Sequence, residues 1–182
     1  MSKQALIIID IQNDYFPGGK WTLDGADQAA DNAARLLTAA RHRGDLVVHV
    51  RHEFESPDAP FFAPASQGAA IHPKVQPAEG EPVVLKHKVN AFRDTPLKAT
   101  LDDHGITRLT IVGSMSHMCI DAATRAAADF GYDVTVAHDA CATLPLDFDG
   151  KRVPAADVHA SAMAALAFAY AKVVKTDELL KG

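Results

Sequence analysis

Three side chains with complementary chemistry stand at the ends of predicted strands. Asp10 directly follows one apolar run, Lys86 follows a second, and Cys119 comes a few residues after a third. A thiol can attack a carbonyl carbon, a carboxylate can accept the thiol proton, and an ammonium group stabilises both anions. Parallel strands would bring these residues to one edge of a sheet, where they would form an acyl-transfer site.

The segment around Cys119 has the pattern of a strand, a tight turn and a helix. An apolar run over 109–112 stops at Gly113, and apolar residues recur at helical spacing over 120–130. Ser116 stands where an N-cap hydroxyl is expected, which places Cys119 in the first helical turn. The free N–H groups of such a turn favour a thiolate and can also hold a developing oxyanion.

Each of the three residues also has an ordinary structural interpretation. A lone cysteine is commonly buried as a small apolar side chain, an aspartate after a strand often shapes a turn, and most lysines are solvated surface charges. Taken one at a time, the residues leave both interpretations open. Their coincidence at three strand ends favours the chemical one.

The composition bounds the class of protein. The 182 residues suit a single domain over 1–182, and 18 basic against 23 acidic residues give a net charge of −5. Because no cluster of basic residues is longer than about a pair, nucleic acid is not an expected partner. The apolar segment near the N-terminus is too short for a signal peptide or a membrane span, which predicts a cytoplasmic protein with no membrane partner. In that compartment Cys119 and Cys141 are expected as free thiols.

Strands and helices alternate along the whole chain. Strands are predicted at 5–9, 46–50, 82–85, 109–112, 134–137 and 171–174, and helices at 27–43, between Thr95 and Gly105, at 120–130 and at 153–170. This alternation predicts an α/β fold, a three-layer α/β/α arrangement with a mostly parallel, Rossmann-like sheet of about six strands. Asp139 and Cys141, just after the fifth strand, are expected to shape a turn.

A long segment over 51–73, rich in proline and aromatic residues, is predicted to be a loop that forms a lid or a pocket wall. Several large side chains near the strand ends are candidates for lining a substrate pocket, although each is equally expected as ordinary packing. They are Phe16, Trp21, Phe54, Phe61, Phe62, Met115 and His117.

The sequence predicts neither a metal nor an organic cofactor. His49, His52 and His72 are spaced unlike any compact metal site and are expected to form local hydrogen bonds. The first strand-to-helix turn, DIQNDYFPGGK, contains no glycine-rich phosphate cradle, which argues against a nucleotide-binding module.

Three segments together resemble the isochorismatase-like cysteine hydrolase superfamily, which includes nicotinamidases and related amidases. They are LIIIDIQNDYF, VVLKHKVNAFRDTPLKATL and LTIVGSMSHMCIDAATRAAADFGYDVTVAHDACAT, and the resemblance covers nearly the whole chain. It implies that Asp10 is a general base, Lys86 its cationic partner and Cys119 the nucleophile. It also implies a cis peptide bond between Ser114 and Met115, with the N–H groups of Met115 and Cys119 forming an oxyanion hole.

The resemblance implies a function as well. The expected protein is a cysteine-dependent hydrolase of a small amide or ureido C–N bond that forms a thioester acyl-enzyme and assembles as a homo-oligomer, a dimer or larger. The segment HVRHEFESPD lacks the DxH pair of zinc-dependent nicotinamidases, and Cys119 disfavours the vinyl-ether cleavage of isochorismatases proper, which use no cysteine nucleophile. The alternative is a catalytically silent binding or assembly module on the same fold.

Overall fold

A computed structural model describes residues 3–181. Its strands are β1 (Gln4–Ile9), β2 (Leu46–His52), β3 (Val83–Lys86), β4 (Arg108–Ser114), β5 (Asp133–Ala142), β6 (Leu146–Phe148), β7 (Lys151–Val153) and β8 (Lys172–Val174). Its α-helices are α1 (Ala26–Arg43), α2 (Leu97–Asp103), α3 (Asp121–Asp129), α4 (Ala155–Ala169) and α5 (Thr176–Leu179). Single helical turns occur at Asn13–Tyr15, Pro73–Val75 and Ser116–Ile120.

Six strands form one parallel sheet in the order β3-β2-β1-β4-β5-β8. The predicted α/β fold with a six-stranded parallel sheet is therefore confirmed. The chain extends the sheet in one direction from β1 to β3 and then crosses back to place β4 on the other side of β1. Ligand sites in open α/β sheets lie at such a reversal, beyond the carboxyl ends of the strands.

Both faces of the sheet are covered, as the alternation of residues along β1 illustrates. Leu6 and Ile8 belong to a core shared with α1, whereas Ala5, Ile7 and Ile9 belong to a second core that contains residues of α2, α3 and α4. Successive side chains of a strand point to opposite faces, so a strand covered on both sides must be apolar throughout. This explains the continuous apolar run before Asp10.

Gly113 lies inside β4 rather than at its end, because the strand continues to Ser114. Its φ is 126°, and a Cβ at this position would overlap the backbone of Ile9 in the neighbouring β1. Only glycine permits this close approach between the ends of β1 and β4. The glycine therefore helps to bring Asp10 near the turn that carries Cys119.

The structure corrects one local prediction and adds a hairpin. β5 extends to Ala142, so Asp139 and Cys141 lie in a strand and not in a turn. The extension pairs Cys141 with Gly113 beyond an irregularity in the register, a long-range pairing that local turn propensity does not reveal. The short antiparallel hairpin of β6 and β7 was not predicted, because three residues are too few to show a period.

Replacing Gly113 should test the close approach of the two strands. We expect Gly113→Ala to lower the free energy of unfolding by at least about 3 kcal/mol, because it combines a left-handed backbone with a steric overlap. Gly44→Ala is the matched control, since Gly44 has a φ of 70° but open space around it. The control should cost only about 1–2 kcal/mol. Equal losses in urea denaturation would contradict the proposed overlap.

Candidate active site

Asp10, Lys86 and Cys119 meet at the carboxyl edge of the sheet. The Nζ atom of Lys86 lies 2.8 Å from Oδ2 of Asp10 and 3.2 Å from Sγ of Cys119. Asp10 and Lys86 are each 0% exposed, and Cys119 is buried as well. Three reactive groups thus lie close together, two at the ends of β1 and β3 and one in the turn after β4. The sequence predicted this common position.

Lys86 is a lysine that the fold holds in the interior as the last residue of β3. Besides Asp10 and Cys119, its ammonium group contacts Nδ1 of His52 at 2.9 Å and the carbonyl oxygen of Lys88 at 3.2 Å. A buried cation requires such compensation, because removal from water is costly without paired charges and hydrogen bonds. All four neighbours are groups that can accept a hydrogen bond from Nζ.

Asp10 has a left-handed backbone with a φ of 53°, which is unusual for a residue other than glycine. Its N–H group donates to the carbonyl oxygen of Val50 at 2.9 Å, which ties the end of β1 to β2. Strained backbone of this kind persists where the surroundings fix it, and it concentrates at functional sites.

The turn that carries Cys119 differs from the predicted one. Ser116–Ile120 is a single π-helical turn that precedes α3, and the residue before it, Met115, rather than Ser116, is its N-cap. The Ser116 hydroxyl instead lies 3.3 Å from the carbonyl oxygen of Ala142 and 2.7 Å from Nδ1 of His159. A wider turn of five residues has no distinct sequence period, so the N-cap prediction was wrong. The Ser114–Met115 peptide bond is cis.

A cavity of about 440 Å³ opens beside the three residues. Its walls are largely aromatic and aliphatic, with a few polar groups. They are formed by Asp10, Tyr15, His52, Phe54, Phe61, Phe62, His87, Lys88, Val89, Asn90, Arg93, Met115, Met118, Cys119 and Ala122. Such a concave, mostly apolar space with few polar groups is typical of a small-molecule site.

Of the seven candidates for the pocket lining, four line this cavity and three do not; the four are Phe54, Phe61, Phe62 and Met115. Phe16 stacks on His72 at 3.7 Å between ring centroids, away from the cavity. Trp21 stacks on Phe61 at 4.6 Å and supports the wall from behind. Nδ1 of His117 lies 2.7 Å from the hydroxyl of Thr143. Proximity in sequence to a strand end therefore did not decide which side chains face the cavity.

The segment 51–73 is a pocket wall, and two buried polar residues that the sequence analysis did not single out hold it in place. The side-chain amide of Gln12 donates to the carbonyl oxygens of His52 and Ala69 and accepts from the His52 N–H group, at 2.7–2.8 Å. The Asp14 carboxylate accepts from the Phe62 N–H group at 2.7 Å. Their signal is a mostly polar segment, DIQND, that follows a buried strand and itself contains buried positions.

The three histidines that the sequence analysis considered as metal ligands, His49, His52 and His72, form contacts with neighbouring groups. Nε2 of His49 lies 2.9 Å from Oε2 of Glu81. Within residues 3–181, no group of three or more histidine, cysteine, aspartate or glutamate side chains is arranged to hold a metal ion. No helix in that range is long and apolar enough to cross a membrane.

Comparisons with known proteins agree with this architecture. Residues 4–178 match the sequence profile of the Isochorismatase domain. This chain belongs to the isochorismatase family. YddQ, an uncharacterized isochorismatase family protein of Bacillus subtilis, is 48% identical over 97% of this chain and 98% of its own.

Two further relatives bear on structure and chemistry. A crystal structure from Oleispira antarctica, assigned to the isochorismatase hydrolases, superposes with a TM-score of 0.95 at 59% identity and covers 98% of this chain and 96% of its own. Maleamate amidohydrolase of Pseudomonas putida is 30% identical over 75% of this chain and 71% of its own. Relatives of this chain thus include an amidohydrolase, and this chain is a hydrolase of the same family, acting on C–N bonds.

In this isochorismatase-family site the surroundings of the resting cysteine favour the thiol form. Burial and the nearby Asp10 charge raise the pKa of Cys119 to about 12, and Lys86 only partly opposes them. Burial and Asp10 therefore oppose the stabilisation of a thiolate that is expected from the turn. Burial also raises the pKa of Asp10, although the Lys86 charge counteracts it. For Lys86, burial alone would lower the pKa, but the charge of Asp10 and the hydrogen bonds to Asp10 and Cys119 outweigh burial and raise it.

Alkylation of Cys119 by iodoacetamide should report this raised pKa. We expect the rate to keep rising from about pH 6 to about pH 10 without a plateau, because the thiolate is the reactive form. Asp10→Asn should move the profile to lower pH by about one unit, because it removes a charge that raises the pKa of the thiol.

Cys119→Ala provides the background from Cys141, the other buried thiol. A wild-type rate that levels off below about pH 8, near or below the pKa of a free thiol, would contradict the assignment. An unchanged profile in Asp10→Asn would also contradict it.

Proposed function

We propose that this protein is a cysteine-dependent hydrolase of a small amide or ureido C–N bond and that it works through a thioester acyl-enzyme. The observation that carries the proposal is the chain of contacts from Asp10 through Lys86 to Cys119 beside the cavity. Base, cation and nucleophile are the three groups that acyl transfer to a thiol requires.

In the first half of the reaction, Sγ of Cys119 attacks the carbonyl carbon while its proton passes to the Asp10 carboxylate. A C–S bond forms and the carbonyl oxygen gains negative charge, which the N–H groups of Met115 and Cys119 would stabilise. Both residues border the cavity. When the tetrahedral intermediate collapses, the C–N bond breaks and the leaving nitrogen takes the proton from Asp10.

In the second half, Asp10 accepts a proton from a water molecule as that water attacks the thioester carbon. The C–S bond breaks, and the proton held by Asp10 returns to Sγ, so the acid is released and the thiol is restored. Lys86 stays charged throughout and offsets whichever neighbouring anion is present, the carboxylate or the thiolate.

The raised pKa values are compatible with this cycle. A thiol that is protonated at rest requires a base at the moment of attack, and a buried carboxylate of raised pKa is a stronger base than an exposed one. Lys86 contacts both groups, so it stabilises the charge wherever the proton leaves it. The thiolate then exists only while the carbonyl is in place.

The cavity supports a small substrate. Its volume of about 440 Å³ and its walls of phenylalanine and methionine accommodate a compact amide with an apolar or planar part. The proposed substrate is therefore a small molecule and not a polymer.

A panel of small amides and ureido acids, assayed for released ammonia, tests the function. We expect Cys119→Ala and Asp10→Asn to lower kcat/KM by about 10³-fold or more on any amide that is cleaved, because each loses a group that takes part in bond formation. Cys141→Ala, at the other buried cysteine, is the matched control and should retain activity. Full activity in Cys119→Ala would rule out the covalent scheme, and no cleavage of any compound would favour the silent binding module.

We also propose a homo-oligomer, supported by the exposed apolar surface of α4 and the neighbouring hairpin. The outward positions of α4 are largely alanine, and Phe168 and Phe148 are 93% and 81% exposed. Apolar surface of this kind is a common feature of protein interfaces. A second copy of the chain is the partner we propose for it.

Light scattering coupled to size exclusion tests this assembly. We expect wild-type protein to elute above the 19.4 kDa of one chain and Phe168→Glu to shift toward that mass, because the change places a charge in the apolar surface. Thr38→Glu, at an exposed position of α1 in the opposite layer, should leave the mass unchanged. A wild-type protein of monomer mass would contradict the proposal.

A further inference from the structure

Ser116 lies in the π-helical turn that carries Cys119, but its side chain is bonded outside the substrate cavity. It is 0% exposed and is absent from the cavity lining. Its hydroxyl lies 3.3 Å from the carbonyl oxygen of Ala142, the last residue of β5, and 2.7 Å from Nδ1 of His159 in α4. One buried hydroxyl thus ties the turn both to the sheet and to a helix. The proposed reaction uses neither Ser116 nor His159.

The two contacts of the Ser116 hydroxyl differ in strength. A hydroxyl has one proton to donate, so it can serve only one of the two acceptors at a time. Burial, with a smaller effect of the His138 charge, lowers the pKa of His159, so its imidazole is neutral near physiological pH and Nδ1 can accept. We assign the proton to the contact with Nδ1, because 2.7 Å is a good hydrogen-bond length and 3.3 Å is a long one.

Ser116 also lies between the two N–H groups proposed for the oxyanion hole. Met115 directly precedes it, and Cys119 follows three residues later in the same turn. The carbonyl oxygen of Met115 accepts from the N–H groups of Met118 at 3.0 Å and Ile120 at 3.2 Å, which connects the two ends of the turn. Anchoring Ser116 therefore constrains the orientation of the N–H groups on either side of it.

A second contact attaches the same turn to the segment after β5. Nδ1 of His117 lies 2.7 Å from the hydroxyl of Thr143, which is 2% exposed. The carbonyl oxygen of Thr143 in turn accepts from the Asp24 N–H group at 2.8 Å. The turn thus stays attached when the bond between Ser116 and His159 is removed. Loss of that bond should reorient the turn locally and leave the chain folded.

We propose that His159 is a positioning residue: by accepting the Ser116 proton it orients the turn so that the N–H groups of Met115 and Cys119 meet the oxygen of the reacting carbonyl. The proposal rests on the proposed function, since it concerns the oxyanion of the same reaction. His159 makes no contact with the substrate in this scheme, because it lies outside the substrate cavity. Its effect is on direction, which matters because such donors act only when they point at the oxygen as charge develops.

Two reactions of Cys119 separate the orientation of the N–H groups from the reactivity of the thiol. Butanal adds reversibly: a C–S bond forms, the thiol proton passes to the aldehyde oxygen, and that oxygen takes the place of the oxyanion. Iodoacetamide alkylates Sγ by displacing iodide and creates no oxyanion. Both reactions are followed by intact mass in Cys141→Ala, the parent protein, in which Cys119 is the remaining cysteine. Protection from alkylation gives the apparent Kd of butanal.

We expect His159→Leu to raise the apparent Kd of butanal about tenfold or more, because misdirected N–H groups support the adduct oxygen poorly. Its alkylation rate without butanal should equal that of the parent. Ser116→Ala removes the same bond from the other side and should give the same loss, and the double variant should lose no more than either single one. In His159→Asn the side-chain oxygen can take the place of Nδ1, so this variant should keep most of the affinity.

His138→Leu is the matched control. The His138 ring centroid lies 6.1 Å from that of His159, yet in the part of the chain that the structure describes His138 makes no hydrogen bond to the turn. This variant should keep the Kd of the parent, and urea denaturation shows that each variant is folded.

Three results would overturn the role of His159. They are a folded His159→Leu that binds butanal as the parent does, an alkylation rate that falls as much as the affinity, and losses in Ser116→Ala and His159→Leu that add in the double variant. Failure of butanal to protect Cys119 in the parent would instead contradict the proposed nucleophile, and the role of His159 would fail with it.

Discussion

The ion pair between Lys86 and Asp10 is the interaction on which the site depends. Two charges that are 0% exposed have lost all their hydration, and only their mutual contact at 2.8 Å and the surrounding acceptors compensate for the loss. Removing one partner would leave an uncompensated buried charge, a change that typically costs about 3–5 kcal/mol. Apart from Lys86 and the Cys119 thiol, no described group donates to the Asp10 carboxylate, which leaves it basic.

The fold creates this pair by geometry rather than by any single element. β1 and β3 are separated by β2 in the sheet, so Lys86 reaches Asp10 across the end of the intervening strand. Gly113 lets β4 approach β1 closely and thereby sets the turn of Cys119 beside the pair. Gln12 and Asp14 then fix the wall of the cavity. The first two contacts thus position nucleophile and base, and the last two shape the space beside them.

Much of this arrangement could be predicted from the sequence because it follows from strand ends. Continuous apolar runs identify strands covered on both faces, and the polar residue after each run marks the edge where sites form. Asp10 and Lys86 were found in this way, and the resemblance to a known family assigned their roles. The homo-oligomer and the cytoplasmic location stay predictions.

The parts that could not be predicted depend on long-range contacts. The thiol of Cys119 was expected as a favoured thiolate from its place in a turn, but burial and Asp10 dominate its pKa. Phe16 and His117 lie close in sequence to the site, yet their side chains pack elsewhere.

The central claim is a covalent intermediate on Cys119, and the partitioning of that intermediate tests it most directly. Two amides with the same acyl group and different leaving amines are hydrolysed in the presence of hydroxylamine, and the ratio of hydroxamate to acid is measured for each. A shared thioester predicts the same ratio from both substrates, because the leaving amine has departed before the second nucleophile attacks. Ratios that depend on the leaving amine would contradict a common acyl-enzyme and, with it, the account of how Asp10, Lys86 and Cys119 work together.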